Sequence, residues 1–145
     1  MFVDVYGVRG KKKTALVEFA EWLGYRLMGD RLAPNVSVTI LVSKFEGNEQ
    51  GYHGFVEYED CNLRPREFLI HVNKQLNERD MFETLAHEMV HVKQDARQER
   101  QERHKNGHRI FWKGEDHTKT PYSKQPWERE AYRLDKKLVR EYFGE

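Results

Sequence analysis

Residues 77–94 read NERDMFETLAHEMVHVKQ, and this stretch decides the fold. Its apolar side chains follow the i, i+3, i+4, i+7 spacing of an amphipathic helix: Phe82, Leu85, Ala86 and Met89. Asn77 is a suitable N-cap, and the carboxylates that follow it favour the positive end of a helix dipole. We therefore predict a helix that buries one face in a core and turns the other toward a cleft.

The polar face of this helix carries His87, Glu88 and His91, which form an HExxH motif. Because residue i+4 returns beside residue i, the two imidazoles project from one face and can bind a single Zn²⁺ ion. Glu88 would lie beside the ion, where a carboxylate can take a proton from a bound water. The motif predicts a hydrolytic zinc site, and two exposed surface histidines are the alternative.

The length and composition of the chain limit its class. We expect a single domain spanning residues 1–145. Charged residues make up 34% of the chain but the net charge is +1, which argues against a dedicated nucleic-acid binder. Cys61 is the only cysteine, which excludes an intramolecular disulfide and favours a cytoplasmic protein. No apolar run has the length of a membrane span or a signal peptide, so we expect no membrane partner.

The rest of the chain predicts a small domain of mixed helix and strand. A first helix is expected from Thr14 to about Met28, where Gly29 ends it. A short apolar stretch at residues 2–6 precedes this helix. After the helix, the patterns predict strands at Val36–Val42, Phe55–Tyr58 and Glu67–Val72, with a turn at Glu46–Gly51. A last helix is predicted to begin at Pro126.

Little regular structure is predicted between the HExxH helix and the last helix. Residues 95–105 are dominated by Arg, Glu and Gln, which suits a solvated helix extension or a mobile loop. Residues 106–125 contain Gly107, Gly114 and Pro121, turn formers too dense for a regular element. A long connection of this kind is usually functional or disordered, and we hypothesise that residues 95–125 cover the cleft until substrate arrives.

A catalytic zinc site usually has three protein ligands, so the HExxH motif needs a third. The extended motif HExxHxxGxxH is excluded, because Gln94 and Arg97 stand where it needs glycine and histidine. Several downstream side chains could supply the ligand: His104, His108, Asp116, His117, Glu128 and Glu130. Helical periodicity does not choose between the two glutamates, which flank the apolar stripe of the last helix almost symmetrically.

An HExxH motif followed by Glu-x-x-Ala on a downstream helix resembles the gluzincin metallopeptidases. In that clan the glutamate of the second motif is the third zinc ligand, which implies Glu128, with Glu130 or a histidine as the alternatives. Residues 87–94 and 126–132 are also similar to small, uncharacterised metallopeptidase-like proteins of bacteriophages, which implies the host cytoplasm. Clan members often carry Asp after the Ala to orient a histidine, but this chain has Tyr132, so another residue must take that role.

Together these observations predict an α+β, zincin-like domain. We expect an N-terminal helix, a small three- to four-stranded sheet, the HExxH helix and a C-terminal helix. The expected function is that of a zinc-dependent metallopeptidase, with His87, His91 and Glu128 as ligands and Glu88 as general base. Four side chains are candidates for stabilising the oxyanion: Tyr122, Tyr132, His104 and His108.

The expected partner is a peptide or protein substrate, and the sequence identifies no regulatory partner. If Phe55–Tyr58 is an edge strand beside the cleft, an extended peptide can bind there as an added strand. Two other hypotheses stay open. One is a non-catalytic zinc-binding interaction or assembly protein, and the other is a SprT-like protease acting on nucleic-acid-bound proteins, in which His104 or His108 supplies a third histidine.

Overall fold

The computed structural model describes residues 1–46, 52–60 and 64–145, so most of the turn expected at Glu46–Gly51 and Cys61 lie outside the described residues. The described part has the predicted α+β fold, with three α-helices and two small sheets. None of its helices combines the length and apolarity needed to cross a membrane. In chain order the elements are β1 (Phe2–Tyr6), α1 (Gly10–Leu32), β2 (Ser37–Ser43), β3 (Gly54–Tyr58), β4 (Glu67–Asn73), α2 (Glu78–Ala96), β5 (Arg100–Arg103), β6 (Arg109–Trp112), β7 (Glu115–Asp116) and α3 (Pro126–Phe143), with 3₁₀ turns at Ala33–Asn35 and Tyr122–Lys124.

The larger sheet has the strand order β1-β2-β4-β3, which makes β3 an edge strand among the described residues. β2 pairs in parallel with β1 and β4, whereas β3 runs antiparallel to β4. β2 is a strand because buried β-branched residues alternate along it with half-buried ones: Val38, Ile40 and Val42 are buried. The three predicted strands are confirmed, and the apolar start of the chain adds the fourth.

α1 packs its apolar face on the core and is longer than predicted at both ends. It begins at Gly10 because the lysines that follow form a solvated first turn with good helix propensity. Gly29 interrupts it with a φ of 76°, as expected, but a further helical turn follows. Phe19 contacts Phe82 of α2 and Tyr142 of α3, with ring centroids 5.1 and 4.8 Å away. These aromatic contacts join the three helices into one core.

α2 packs against the larger sheet, α1 and α3, so that both its apolar and its polar face are covered. Its N-terminus is capped as predicted, since Oδ1 of Asn77 accepts a hydrogen bond from the Asp80 amide at 2.8 Å. The polar face is buried from Glu88 onward, and within the described residues no buried side-chain nitrogen or oxygen lacks a hydrogen-bond partner. His91 is 8% exposed, which rules out the alternative of two exposed surface histidines.

The segment between α2 and α3 is more regular than predicted. β5, β6 and β7 form an antiparallel three-stranded sheet, so neither a helix extension nor an irregular connection describes this segment. Lys113 and Gly114 have φ values of 48° and 88°, and a two-residue type I′ hairpin needs positive φ at both positions. Asn106 and Gly107, at 61° and 100°, turn the loop between β5 and β6. Gly107 and Gly114 therefore lie in hairpin turns, whereas Pro121 precedes the 3₁₀ turn at Tyr122–Lys124.

α3 begins at Pro126, as predicted, and ends before Gly144, which adopts the left-handed conformation with a φ of 71°. Its apolar stripe is buried, mainly against α2, through Trp127, Ala131 and Leu138. The Trp127 ring also lies 6.4 Å from that of Trp112 on β6, which attaches the small sheet to α3. This packing brings the first turn of α3 against the HExxH segment of α2.

Candidate metal centre

Helices α2 and α3 bring three potential metal ligands together. Nε2 of His87 and Nε2 of His91 each lie 3.1 Å from the same atom, Oε1 of Glu128. The three ligand atoms lie within 4.8 Å of one another. Ligands of a tetrahedral zinc ion are about 3.3 Å apart when each metal–ligand distance is about 2.0–2.1 Å. The side chains that the sequence singled out therefore meet at a spacing suited to a metal ion.

Each histidine is oriented by an acceptor at its outer nitrogen. Nδ1 of His87 donates to Oδ2 of Asp135 at 3.2 Å, and Nδ1 of His91 donates to Oε1 of Gln94 at 2.8 Å. The Gln94 amide is itself fixed, because its Nε2 donates to the Trp127 carbonyl at 2.9 Å. With both Nδ1 atoms donating, both Nε2 atoms of the neutral rings direct lone pairs toward the centre of the group.

Two lone pairs and a carboxylate oxygen that face one another need positive charge between them. Burial disfavours charge on His87, but hydrogen bonds to Asp135 and Glu128 outweigh it and raise the pKa of His87 to about 9. Burial likewise opposes ionisation of Glu128, but the two imidazoles lower the pKa of its carboxyl to about 2. A divalent cation supplies the same positive charge and binds neutral imidazoles and an ionised carboxylate. The donor set therefore fits a metal ion.

Glu88 lies between the two histidines in the motif and is 6% exposed. Burial raises the pKa of its carboxyl, while the nearby imidazoles act in the opposite direction. Strand β3 passes beside it, since a Cβ added to Gly54 would lie 3.6 Å from Cγ of Glu88. Glu88 thus lines the same cleft as the ligand group and β3.

The other candidate ligands have different partners. Oε1 of Glu130 accepts hydrogen bonds from Nζ of Lys93 at 2.7 Å and from Nε2 of Gln94 at 3.0 Å. The remaining candidates contact local partners: His117 with Thr120, Asp116 with Thr118, and His104 and His108 in a separate group with Glu102. Among the described residues, Glu128 is the carboxylate that joins the two histidines of the motif.

The ligand group opens into a cleft of about 1120 Å³ that β3, α2 and the start of α3 line. The hydrogen bond from the Asn73 amide to the His53 carbonyl, 2.9 Å long, fixes which backbone groups of β3 face β4. Because these groups alternate along an antiparallel strand, those of Gly54, Val56 and Tyr58 point the other way, to the free edge. The sheet edge beside the cleft therefore offers backbone donors and acceptors that no other described strand pairs with.

Two tyrosines line the cleft beside the ligand group. The hydroxyl of Tyr122 lies 3.0 Å from that of Tyr132, and the Tyr132 ring packs against His87 at 4.6 Å. Burial, together with Tyr132, raises the pKa of Tyr122, so its phenol stays protonated at neutral pH and can donate. Of the four oxyanion candidates, the two tyrosines lie at the cleft, and His104 and His108 are not among its described lining residues.

The cleft is acidic although the whole chain carries a net charge of +1. Its described lining includes eight carboxylates against Arg100, Lys136 and His87, whose raised pKa makes its imidazole cationic at neutral pH when no metal is bound. The carboxylates are Glu57, Asp80, Glu83, Glu88, Asp95, Glu102, Glu128 and Asp135. Such an excess of one sign in a concave site concentrates ligands of the opposite charge.

Sequence reasoning missed Asp135 and Gln94, which orient the two imidazoles. Asp135 follows Glu128 by seven residues, a spacing that places both on one face of α3. It takes the orienting role that Tyr132 cannot fill. Gln94 follows His91 by three residues, a helical neighbour by the same rule. Once Glu128 is placed beside the motif, the two spacings indicate which side chains can reach the outer nitrogens of the histidines.

The chain matches no protein-family model, no curated protein and no solved structure. Its site is therefore defined by its own residues: a candidate metal centre of two histidines and one carboxylate, with a second, buried carboxylate beside it.

Proposed function

We propose that the protein is a zinc-dependent metallopeptidase of the gluzincin type. The observation that supports this most directly is the meeting of two Nε2 atoms from an HExxH helix with Oε1 of Glu128, at 3.1 Å each, inside a cleft that Glu88 also lines. Two histidines and a glutamate with an open fourth position are a ligand set of catalytic zinc sites, which is why zinc is the metal in the proposal.

Zinc held by His87, His91 and Glu128 would supply Lewis-acid activation of a water molecule and of the substrate carbonyl. Glu88 accepts the proton of the attacking water and then donates it to the nitrogen of the leaving amine, so water is added across the C–N bond. The raised pKa of Glu88 suits a group that must both accept and return a proton. Tyr122 is suited to donate a hydrogen bond to the carbonyl oxygen as negative charge develops there.

The free edge of β3 supports an extended peptide as the substrate. Backbone groups of Gly54, Val56 and Tyr58 can pair with a peptide that adds as a further strand beside Glu88. The acidic lining favours peptides that carry Lys or Arg. It also disfavours phosphate backbones, which counts against a protease that engages nucleic acid through this cleft.

The proposal is tested with wild type, Glu88→Gln and His91→Ala, each measured for retained zinc and for hydrolysis of a mixture of Lys-containing fluorogenic peptides. We expect Glu88→Gln to keep zinc and lose hydrolysis by about 10²–10⁴-fold, the usual contribution of a general acid–base group. His91→Ala should lose both zinc and hydrolysis, whereas Glu78→Gln, an exposed change at the start of α2, should keep both. Normal hydrolysis by Glu88→Gln would remove Glu88 from the mechanism.

The same experiment separates this proposal from a non-catalytic zinc-binding protein. Such a protein would retain zinc through His87, His91 and Glu128 but would cleave no peptide of the mixture. The buried Glu88 at the cleft favours the enzyme, because a structural zinc site has no use for a free carboxylate between its ligands.

A further inference from the structure

The β5–β6 hairpin carries a second group of metal-ligand side chains. The strands pair in register, with Glu102 opposite Ile110 and Arg103 opposite Arg109. The next pair in this register is His104 and His108. Because alternate residues of a strand share a face, Glu102 and both histidines lie on one face of the hairpin.

The two imidazoles are held close together by the short loop between them. Asn106 and Gly107 adopt positive φ values of 61° and 100° and close this loop. The rings of His104 and His108 stack with centroids 5.0 Å apart and an interplanar angle of 25°. Closing so short a loop costs little entropy when a ligand binds both rings, because the hairpin has already brought them together.

Glu102 is positioned in advance to complete this group. Its Oε1 accepts a hydrogen bond from Nη2 of Arg100 at 2.7 Å, which leaves Oε2 facing Nε2 of His108 at 3.3 Å. Arg100 is fixed in turn by stacking on the Trp127 ring, 5.3 Å from its centroid. One ligand atom from each of Glu102, His104 and His108 lies within 4.8 Å of the others.

We propose that Glu102, His104 and His108 form a second metal site, which binds a divalent transition-metal ion of the zinc, nickel and copper class. Imidazole nitrogens suit these ions, and the carboxylate supplies charge and a third ligand. All three residues are exposed to solvent, so the ion can enter directly, and we expect the site to be weaker than the buried centre between α2 and α3. The histidines that the sequence offered as a third ligand for HExxH thus have a binding role of their own. This inference does not depend on the proposed peptidase activity.

The test is calorimetric titration of the metal-stripped protein with Zn²⁺ at neutral pH. We expect two ions per chain for wild type and for His53→Asn, a control histidine outside both groups. The double variant His104→Asn/His108→Asn and the variant His91→Asn should each bind one. His104→Asn alone should weaken zinc binding at the second site. Loss of an outer-shell partner costs about 10- to 100-fold in metal affinity, so loss of a direct ligand should cost at least as much.

The outcomes separate the two sites. The hairpin site would be overturned, and the α2–α3 centre kept, if wild type binds one ion that His91→Asn loses and the double variant keeps. One ion lost only in the double variant would support the hairpin site and reject the other centre. If His91→Asn does not fold, Cu²⁺ added to ¹⁵N-labelled wild type should broaden the amide signals of residues 102–108 at the second equivalent. Absence of that broadening would also overturn the inference.

Discussion

Oδ2 of Asp135 lies 3.2 Å from Nδ1 of His87, and this contact couples α3 to the HExxH motif of α2. Asp135 is 5% exposed, so its carboxylate is shielded from water. Since a carboxylate accepts hydrogen bonds, it favours the ring tautomer with the proton on Nδ1 and leaves Nε2 for a metal. α3 therefore contributes both a candidate ligand and the group that orients another.

Asp135→Asn should weaken zinc binding at the α2–α3 centre by about 10- to 100-fold, because the amide orients the His87 ring without the negative charge. Competition with a chromophoric chelator measures the affinity. Asp30→Asn, at an exposed position of α1, is the matched control and should leave the affinity unchanged. Equal affinities of Asp135→Asn and wild type would show that the contact has no part in metal binding.

Glu130→Gln should lower stability without removing zinc. Glu130 pairs with Lys93, and after the change Glu99, at 2.8 Å, is the one carboxylate of the described residues that still pairs with this buried ammonium. We expect a loss of about 1–3 kcal/mol in the free energy of unfolding, because the amide oxygen of Gln is a weaker, uncharged acceptor for the buried charge. Urea unfolding measures this loss. Glu128→Gln, in contrast, should lose zinc. If Glu130→Gln loses zinc and Glu128→Gln keeps it, Glu130 is the ligand and Glu128 is not.

Asp95 should make stability depend on pH. Burial raises the pKa of its carboxyl from 3.8 to about 6, although Arg100 acts to lower it. Because the folded state holds the proton more tightly, the stabilising contribution is fully present below about pH 4 and is lost as the pH rises through about 6. Relative to Asp95→Asn, the free energy of unfolding of wild type should fall by on the order of 2–3 kcal/mol between pH 4 and pH 7.

Urea unfolding of metal-free wild type and metal-free Asp95→Asn at several pH values checks this prediction. The other titratable groups are common to both proteins, so their contributions to the pH dependence cancel in the difference. A difference that does not change with pH would mean that Asp95 ionises in the folded protein as it does in the unfolded chain.

Cationic peptides should be the better substrates. Of two peptides that differ only in Lys against Glu beside the scissile bond, the Lys peptide should have a kcat/KM at least about tenfold higher at low salt, and added salt should narrow the gap. Asp80→Asn at the cleft should reduce the preference, whereas Glu141→Gln, which pairs with Arg26 away from the cleft, should not. Equal cleavage of both peptides would contradict electrostatic selection, and cleavage of neither would contradict peptidase activity.

Gly54→Ala should disturb the approach of β3 to α2. The new Cβ would lie 2.7 Å from both the His71 carbonyl oxygen and Cγ2 of Thr84, so the strand must move away from Glu88. We expect a loss of about 1–3 kcal/mol in the free energy of unfolding, as in other overpacked sites, and a lower kcat. Adding Thr84→Ser removes one of the two clashes and should recover part of the stability. No recovery in the double variant would place the strain at the His71 carbonyl alone.

Much of this architecture could be predicted from local patterns. The HExxH helix, its Asn77 cap and the alternation along β2 depend on residues close in sequence, and all three are confirmed. The small sheet was missed because β5 is polar. Its strands are held by backbone pairing and by hairpin turns such as Lys113-Gly114, neither of which needs an apolar stripe.

The candidate site likewise has one part that local sequence patterns could predict and one part that depends on tertiary packing. His87 and His91 are neighbours by helical geometry alone, so their pairing could be predicted. The choice of Glu128 over Glu130 depends on how α3 is rotated against α2, which helical periodicity could not decide. That rotation is set by the burial of Trp127 and Ala131, and it directs Glu130 to Lys93 instead.

The free edge of β3 has a consequence for the behaviour of the protein at high concentration. An unpaired strand edge is a template for pairing with the same edge of another copy, a common origin of aggregation. Here each edge borders a cleft rich in carboxylates, so two copies that approach edge to edge bring like charges together. We expect this repulsion to disfavour edge-to-edge pairing of two copies, and to do so most strongly at low ionic strength, where charges are least screened.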